Sequence, residues 1–262
     1  MRRRLYKKRY QVKKKTSLFR NKLFKWGFAL AVLGGITLYL ICFLPYLQIK
    51  DVLVLGNEKI APESVKQSVN LLLEKNILGF QSKSTILANL KTIKTKVLAD
   101  FPGIKELKTK KLLPNVILVE VTERKPVAIW CRANNCFLLD SDGVIFENTT
   151  KNNDLTIFSE QAKGETYLGQ KVIEKETVSQ ILTIQKTMLE KAKIQAKEFS
   201  LFENEGRLNA KTSENWSVYF DLNGDLNWQL LELELVLEKE LPLAKRAGLE
   251  YIDLRFSKVF YK

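Results

Sequence analysis

The run Trp26-Gly27-Phe28-Ala29-Leu30-Ala31-Val32-Leu33-Gly34-Gly35-Ile36-Thr37-Leu38-Tyr39-Leu40-Ile41-Cys42-Phe43-Leu44, continuing to Ile49, carries no charged side chain. At ~1.5 Å of rise per residue a helix over 26–47 is about 33 Å long, enough to cross a hydrocarbon core of ~30 Å. Ten residues from Trp26 to Leu44 are Leu, Ile, Val or Phe. At roughly 0.3–0.6 kcal/mol each near the bilayer centre, they favour insertion by a few kcal/mol. The alternative, a buried core helix, would have to accommodate an uncharged run of this length between Lys25 and Lys50. A single transmembrane helix over 26–47 is the reading.

On one side of the span lies a basic tail. Residues 1–25 hold twelve of the chain's 43 Lys and Arg residues and no Asp or Glu. The other 31 basic residues stand against 29 acidic ones, so most of the net charge of +14 belongs to the tail and the rest is nearly neutral. This separation argues against nucleic acid as a partner, because the basicity is not a property of the folded part. The positive-inside rule places the tail in the cytoplasm, against anionic lipid, and everything after Ile49 outside it. Only large residues follow the span at Phe43-Leu44-Pro45-Tyr46-Leu47, so an uncleaved anchor of type II, N-terminus-in topology is expected.

On the other side, Ile49-Lys50-Asp51-Val52-Leu53-Val54-Leu55 reads as a short strand stopped by Gly56-Asn57. Pro62 and Glu63 open a helix with Val65, Val69, Leu72 and Leu73 on one face. Ser84 is in place to cap a second helix with Ile86, Leu90, Ile93 and Val97. A hairpin comes next, Ile104–Lys110 and Val116–Val121 around Leu113-Pro114-Asn115. Its first strand is loaded with the lysines of a sheet edge, Lys105, Lys108, Lys110 and Lys111, and its second is apolar enough to be central. The order is strand, helix, helix, strand, strand.

A second block begins at Lys125-Pro126-Val127-Ala128-Ile129-Trp130. It continues through Cys136-Phe137-Leu138-Leu139 and Asp140-Ser141-Asp142-Gly143-Val144-Ile145-Phe146, where Asp142-Gly143 between apolar runs marks a hairpin turn. Lys151-Asn152-Asn153-Asp154 is a polar loop. Thr177 with Gln180 suggests a capping box for a helix whose face is Val178, Ile181, Leu182, Leu189 and Ala192. Short strands are expected at Phe199–Phe202, Arg207–Ala210 and Trp216–Asp221. Leu231 to Leu237 alternates like a strand, but its Leu and Glu content favours a helix over 227–241 capped by Asn227. A β-like segment, Tyr251-Ile252-Asp253-Leu254-Arg255-Phe256, comes near the end.

The chain contains no histidine. Ser-His-Asp and Cys-His nucleophile systems and His-ligated zinc are thereby excluded. Neither a Ser-x-x-Lys spacing nor a Gly-rich phosphate loop occurs. Asp140-Ser141-Asp142-Gly143 resembles the opening of a calcium loop, but its glycine comes too early, and a turn is the better reading. No catalytic residue, cofactor or metal is expected. Cys131 and Cys136 bracket the hairpin tip Arg132-Ala133-Asn134-Asn135 on the extracytoplasmic side. They are either bridged as a disulfide or present as two free buried thiols.

Basic tail, span, strand-helix-helix-strand-strand unit and longer mixed domain, in that order, resemble the FtsQ/DivIB family of bacterial cell-division proteins. Residues 48–123, opening on Ile49–Asn57 and closing on Val116-Ile117-Leu118-Val119-Glu120-Val121, resemble its POTRA domain. Residues 124–262 resemble its β domain, through Phe137–Phe146 and Ile252-Asp253-Leu254-Arg255-Phe256. The chain departs from the family pattern at Leu155-Thr156-Ile157, which lacks a proline after the leucine, and in its short C-terminus. The resemblance implies an α+β protein with a mainly antiparallel sheet in its larger domain. It also implies a non-enzymatic scaffold at the division septum of the cell membrane, joined to single-span partners of the FtsB/DivIC and FtsL types. Partner binding would fall on the last strand and the residues after it, at Tyr251, Asp253, Arg255, Phe256, Lys258, Val259 and Phe260, by strand addition to a sheet edge. The competing reading is a membrane-tethered enzyme acting on cell-wall material.

Overall fold

A computed structural model describes residues 22–77, 80–133, 135–150, 155–159 and 165–262. The basic tail as far as residue 21, Asn134 of the hairpin tip and the polar loop expected at 151–154 lie outside the described residues.

Helix α1 spans Lys22–Phe43. Its stretch Phe24–Phe43 has a mean hydropathy of 2.0 and is almost wholly exposed, as a lipid-facing helix is. Regular α-geometry ends earlier than the 26–47 reading, because Pro45 has no N–H to continue the ladder. Pro45–Leu47 forms a 3-10 turn instead. Two terminal carbonyls of α1 are met by side chains from beyond it. The Gln48 amide donates to the Cys42 carbonyl at 2.8 Å, and the Ser84 hydroxyl to that of Ile41 at 2.7 Å.

The first folded unit contains β1 (Asp51–Leu55), α2 (Pro62–Leu73), a small hairpin of β2 (Lys75–Ile77) and β3 (Phe80–Ser82), α3 (Leu90–Asp100), β4 (Ile104–Leu112) and β5 (Val116–Glu123). The sheet order is β1-β5-β4, with β1 parallel and β4 antiparallel to β5. The apolar strand is therefore central and the lysine-rich strand an edge, as expected. Val52 and Val54 from β1, Ile117, Val119 and Val121 from β5, and Leu107 from β4 pack with Val65, Val69 and Leu73 of α2 and Ile93 and Val97 of α3. Helix α3 starts later than expected. Asn89 caps it, accepting from the Lys91 and Thr92 amides. Ser84, the expected cap, serves α1 instead.

Gly56 and Glu123 shape the loop after β1. Gly56 has φ +82°, and a Cβ there would lie 2.4 Å from the Val121 carbonyl oxygen, so only glycine fits. The Glu123 carboxylate accepts the amides of Glu58 at 2.7 Å, Lys59 at 3.0 Å and Ile60 at 2.9 Å. Burial acts to raise its pKa, but these three amides outweigh it and hold the carboxyl below its ordinary range.

The second unit is a nine-stranded mixed sheet built from β6 (Pro126–Arg132), β7 (Asn135–Asp140), β8 (Ile145–Thr149), β9 (Thr156–Ser159), β10 (Ala196–Phe202), β11 (Arg207–Thr212), β12 (Ser217–Asp221), β13 (Tyr251–Asp253) and β14 (Phe260–Tyr261). The strand order is β14-β13-β12-β11-β10-β9-β6-β7-β8. Most neighbours are antiparallel. The parallel pairs are β6 with β9, β9 with β10, and β12 with β13.

Helices α4 (Lys175–Glu190) and α5 (Leu226–Lys239) supply Val178, Ile181, Ile184 and Met188, and Leu230, Leu233 and Leu237, to one core. Trp130, Phe199, Trp216 and Phe220 of the sheet side complete it. Helix α4 begins two residues before Thr177, with Glu174 at its N-cap position. Its buried stripe runs through Ile184 and Met188, leaving Leu189 exposed. Asp225, not Asn227, caps α5 by accepting the Asn227 and Trp228 amides. Cys131 and Cys136 face each other across β6 and β7 and are joined as a disulfide.

Arg124 stands where the two units meet. Its backbone N–H donates to the Gly103 carbonyl at 2.8 Å, its Nε to the Pro102 carbonyl at 3.1 Å, and its guanidinium pairs with buried Asp140. Asp140 also accepts the amides of Asp142 and Val144, which folds the turn between β7 and β8. Asp142 in that turn pairs with Lys105 of β4 at 2.6 Å and with Lys175 of α4 at 3.3 Å. The hydrogen bond from Lys105 is the main reason its pKa lies below the usual carboxylate range. The short acidic turn thus joins the first unit, the sheet and α4.

Candidate functional site

A sheet of nine strands has two ends, and an exposed end is a template for a further strand. At the β8 end, the segment from Gly169 to Lys171 folds against the start of the strand. The Ile145 amide donates to the Gln170 carbonyl at 3.1 Å, the Gly169 amide to the Ile145 carbonyl at 2.7 Å, and Val144 bridges to Lys171. At the other end β14 is the last strand in the order, and its outer side carries no partner among the described residues.

The C-terminal edge differs from the sequence reading in one respect. Tyr251–Asp253 is not an open edge, because β13 is paired in parallel with β12 and antiparallel with β14. The register Ile252↔Tyr261 and Asp253↔Phe260, with Tyr251 and Lys262 exchanging backbone hydrogen bonds, fixes the direction of each group. In an antiparallel ladder, hydrogen-bonded and non-hydrogen-bonded pairs alternate. Tyr251–Lys262 is a hydrogen-bonded pair, so Tyr261 falls in the opposite class and its N–H and C=O point away from the sheet. Strands this short are invisible to periodicity, and Tyr261 was not among the residues expected at the site.

Around that backbone the expected residues divide into three groups. Asp253 is buried, like its neighbours Ile252 and Leu254 that were not expected at the site, and Val259 packs against the main core. Tyr251 and Arg255 are half-buried and lie on Tyr219 of β12: the Tyr219 and Tyr251 rings stack with centroids 5.3 Å apart, and the Arg255 guanidinium lies 5.6 Å from the Tyr219 ring centre. Phe256, Lys258 and Phe260 are exposed, and the Phe256 and Phe260 rings meet edge to face at 5.8 Å.

Arg255 grips the Asp253 carboxylate through two side-chain nitrogens and its backbone amide. Burial pushes the Asp253 pKa up, but these bonds prevail and hold it below the carboxylate range. The Tyr261 hydroxyl donates to the Glu240 carboxylate at 3.0 Å, and Lys262 pairs with Glu250 at 3.0 Å. The result is an unpaired strand edge beside an exposed aromatic pair, held by a charged clamp, an arrangement suited to binding an extended segment.

The family model described as POTRA domain, FtsQ-type, matches residues 47–124, and the model described as Cell division protein FtsQ/DivIB, C-terminal, matches 128–255. The chain belongs to the FtsQ/DivIB family. Among FtsQ/DivIB relatives, it is similar to the cell division protein DivIB of Clostridium acetobutylicum, with 32% identity over 40% of this chain and 38% of the relative. It is also similar to the cell division protein FtsQ of Streptomyces bingchenggensis, with 26% identity over 48% of this chain and 45% of the relative. A third, the FtsQ of Rickettsia typhi, shares 32% over 30% of this chain and 29% of its own length. Each alignment spans less than half of the relative. The FtsQ/DivIB C-terminal model ends at residue 255, so Phe256 to Tyr261 lie beyond the part that the family description covers.

Proposed function

We propose that this FtsQ/DivIB-family protein is a non-enzymatic scaffold of the bacterial division complex at the septum. In this reading α1 anchors it in the cell membrane with the N-terminus cytoplasmic, and residues 48–123 and 124–262 act as two extracytoplasmic domains. Its partners would be single-span division proteins of the FtsB/DivIC and FtsL types, with lipid contacted by the span and the basic tail, and no nucleic acid bound. The observation that carries this reading is the open β14 edge, which lies beside Phe256 and Phe260, while the β8 end of the same sheet is partly covered. Backbone groups on such an edge supply affinity and alternate side chains supply choice. Tyr251, Asp253, Arg255, Lys258 and Val259 then hold or flank the strand that receives the partner.

The test is Tyr261→Pro. Proline removes the outward N–H, and with it the hydroxyl's bond to Glu240 that Tyr261→Phe removes alone as a control, without touching the hydrogen bonds of Phe260 and Lys262 to β13. The variant is expected to fold normally and to lose co-purification of the FtsB/DivIC-type partner. Phe256→Ala with Phe260→Ala should weaken capture while leaving the edge intact. Full capture by both variants would remove strand addition at β14.

A further inference from the structure

We infer that the first folded unit is seated in the headgroup layer of the bilayer rather than held clear of it. The inference rests on α1 crossing that bilayer. The twenty residues Phe24–Phe43 make a helix about 30 Å long, the full thickness of a hydrocarbon core. The Ile41 carbonyl is about 3 Å short of its end. Ser84, buried at the base of the unit, bonds that carbonyl at 2.7 Å, so its own oxygen lies level with the hydrocarbon boundary. Thr85 binds the Leu47 carbonyl through both its amide and its hydroxyl, and the Ile49 amide binds the Lys83 carbonyl. These bonds leave no linker that could let the unit lift away.

The same geometry identifies which end of the unit meets lipid. Asp51 pairs with Val116, and the Lys50 amide bonds the Asn115 carbonyl at 2.9 Å, so the turn between β4 and β5 sits beside the membrane exit. Strand β5 runs from there away from the bilayer. The turn presents Leu112 and Leu113, 42% and 70% exposed, and the neighbouring segment presents Ile86 at 44%. Tyr46 at the helix end is 66% exposed. Lys50 and Lys111 flank them, and the Lys111 ammonium reaches the Ile86 carbonyl at 2.7 Å. Apolar side chains with a tyrosine and lysines, at the level where a span leaves the hydrocarbon, match the chemistry of an anionic lipid interface. A free-standing domain would gain nothing by exposing Leu113 there.

The experiment is spin-label depth measurement on the full chain in phosphatidylethanolamine–phosphatidylglycerol vesicles. Single cysteines replace Leu113, Ile86, Val32 or Lys125 in a Cys42→Ala background that takes up no label through Cys131 and Cys136. Labels at Leu113 and Ile86 should lose collisions with a water-soluble nickel chelate and keep those with oxygen, as Val32 does, whereas Lys125 at the far end stays open to nickel. Nickel access at Leu113 and Ile86 equal to that at Lys125, with Val32 shielded, overturns the seating while leaving the span intact. Nickel access at Val32 removes the span and this inference with it. Dipolar broadening between Leu113 labels that disappears on dilution with unlabelled chain would put a second copy, not lipid, on this surface and also overturn it.

Discussion

Arg255 holds Asp253 at both carboxylate oxygens, Nε to Oδ1 at 2.9 Å and Nη2 to Oδ2 at 2.6 Å. Asp253 is 6% exposed, so removing the guanidinium leaves a buried charge without its main partner. Arg255→Ala should destabilise the β domain by about 2 kcal/mol. The check is the urea midpoint of the full chain in detergent, followed by tryptophan fluorescence, since Trp130 and Trp216 are both buried in that core. Arg255→Glu would be worse than alanine, because it sets two carboxylates together. An unchanged midpoint for Arg255→Ala would mean the clamp holds nothing.

Glu123 gives the first unit an acid-sensitive fastening. Its pKa lies below the ordinary 4.5 in the folded chain, so its contribution is complete above the unfolded value and is lost as pH falls through the folded one. Glu123→Gln should lower stability near pH 7 by about 1 kcal/mol and flatten the loss of stability below pH ~4.5. Amide exchange at Glu58, Lys59 and Ile60 reports it directly. Equal acid slopes in the two proteins would rule the fastening out.

Gly143 sits at φ +80°, and a Cβ there would stand 1.9 Å from the Ile173 carbonyl oxygen. Gly248 has φ +93° with open space around it. Gly143→Ala should therefore cost more than about 3 kcal/mol, through strain and collision together, and Gly248→Ala about 1 kcal/mol, through backbone strain alone. Thermal unfolding of the two variants side by side measures the difference, and equal costs would refute the steric argument.

Protein purified without reductant should have an intact mass two hydrogens below the fully reduced chain and resist alkylation at Cys131 and Cys136. Reduction should destabilise the β6–β7 hairpin by about 2 kcal/mol. Two alkylatable thiols in the untreated protein would remove the bridge.

Much of this fold is written locally. Val116 to Val121 reads as a central strand because every position except Glu120 is apolar, and Asp142-Gly143 announces its turn because no larger residue takes that backbone. What escaped local reading depends on distant partners. Ser84 has the chemistry of a helix cap, yet the carbonyl it satisfies belongs to Ile41, 43 residues earlier. Strand β9 is four residues long and exists because β6 and β10 lie on either side of it, in parallel. At the candidate site, Tyr251 to Asp253 was legible as a strand, but its position second from the edge was not. That position is set by Phe260 and Tyr261, two residues with too little length to show a period.

The clamp between α1 and segment 83–85 also removes a degree of freedom. A span tethered by a slack linker lets its cargo tumble, whereas here the last helical turn and the domain share hydrogen bonds and must rotate as one piece. Arg124 and the Asp140–Gly143 turn continue the connection into the nine-stranded sheet. The β14 edge is then carried round the membrane normal like the hand of a clock, at a set height. On the function proposed above, an extended segment from a neighbouring single-span protein would meet that edge through lateral diffusion and rotation alone, a search in two dimensions.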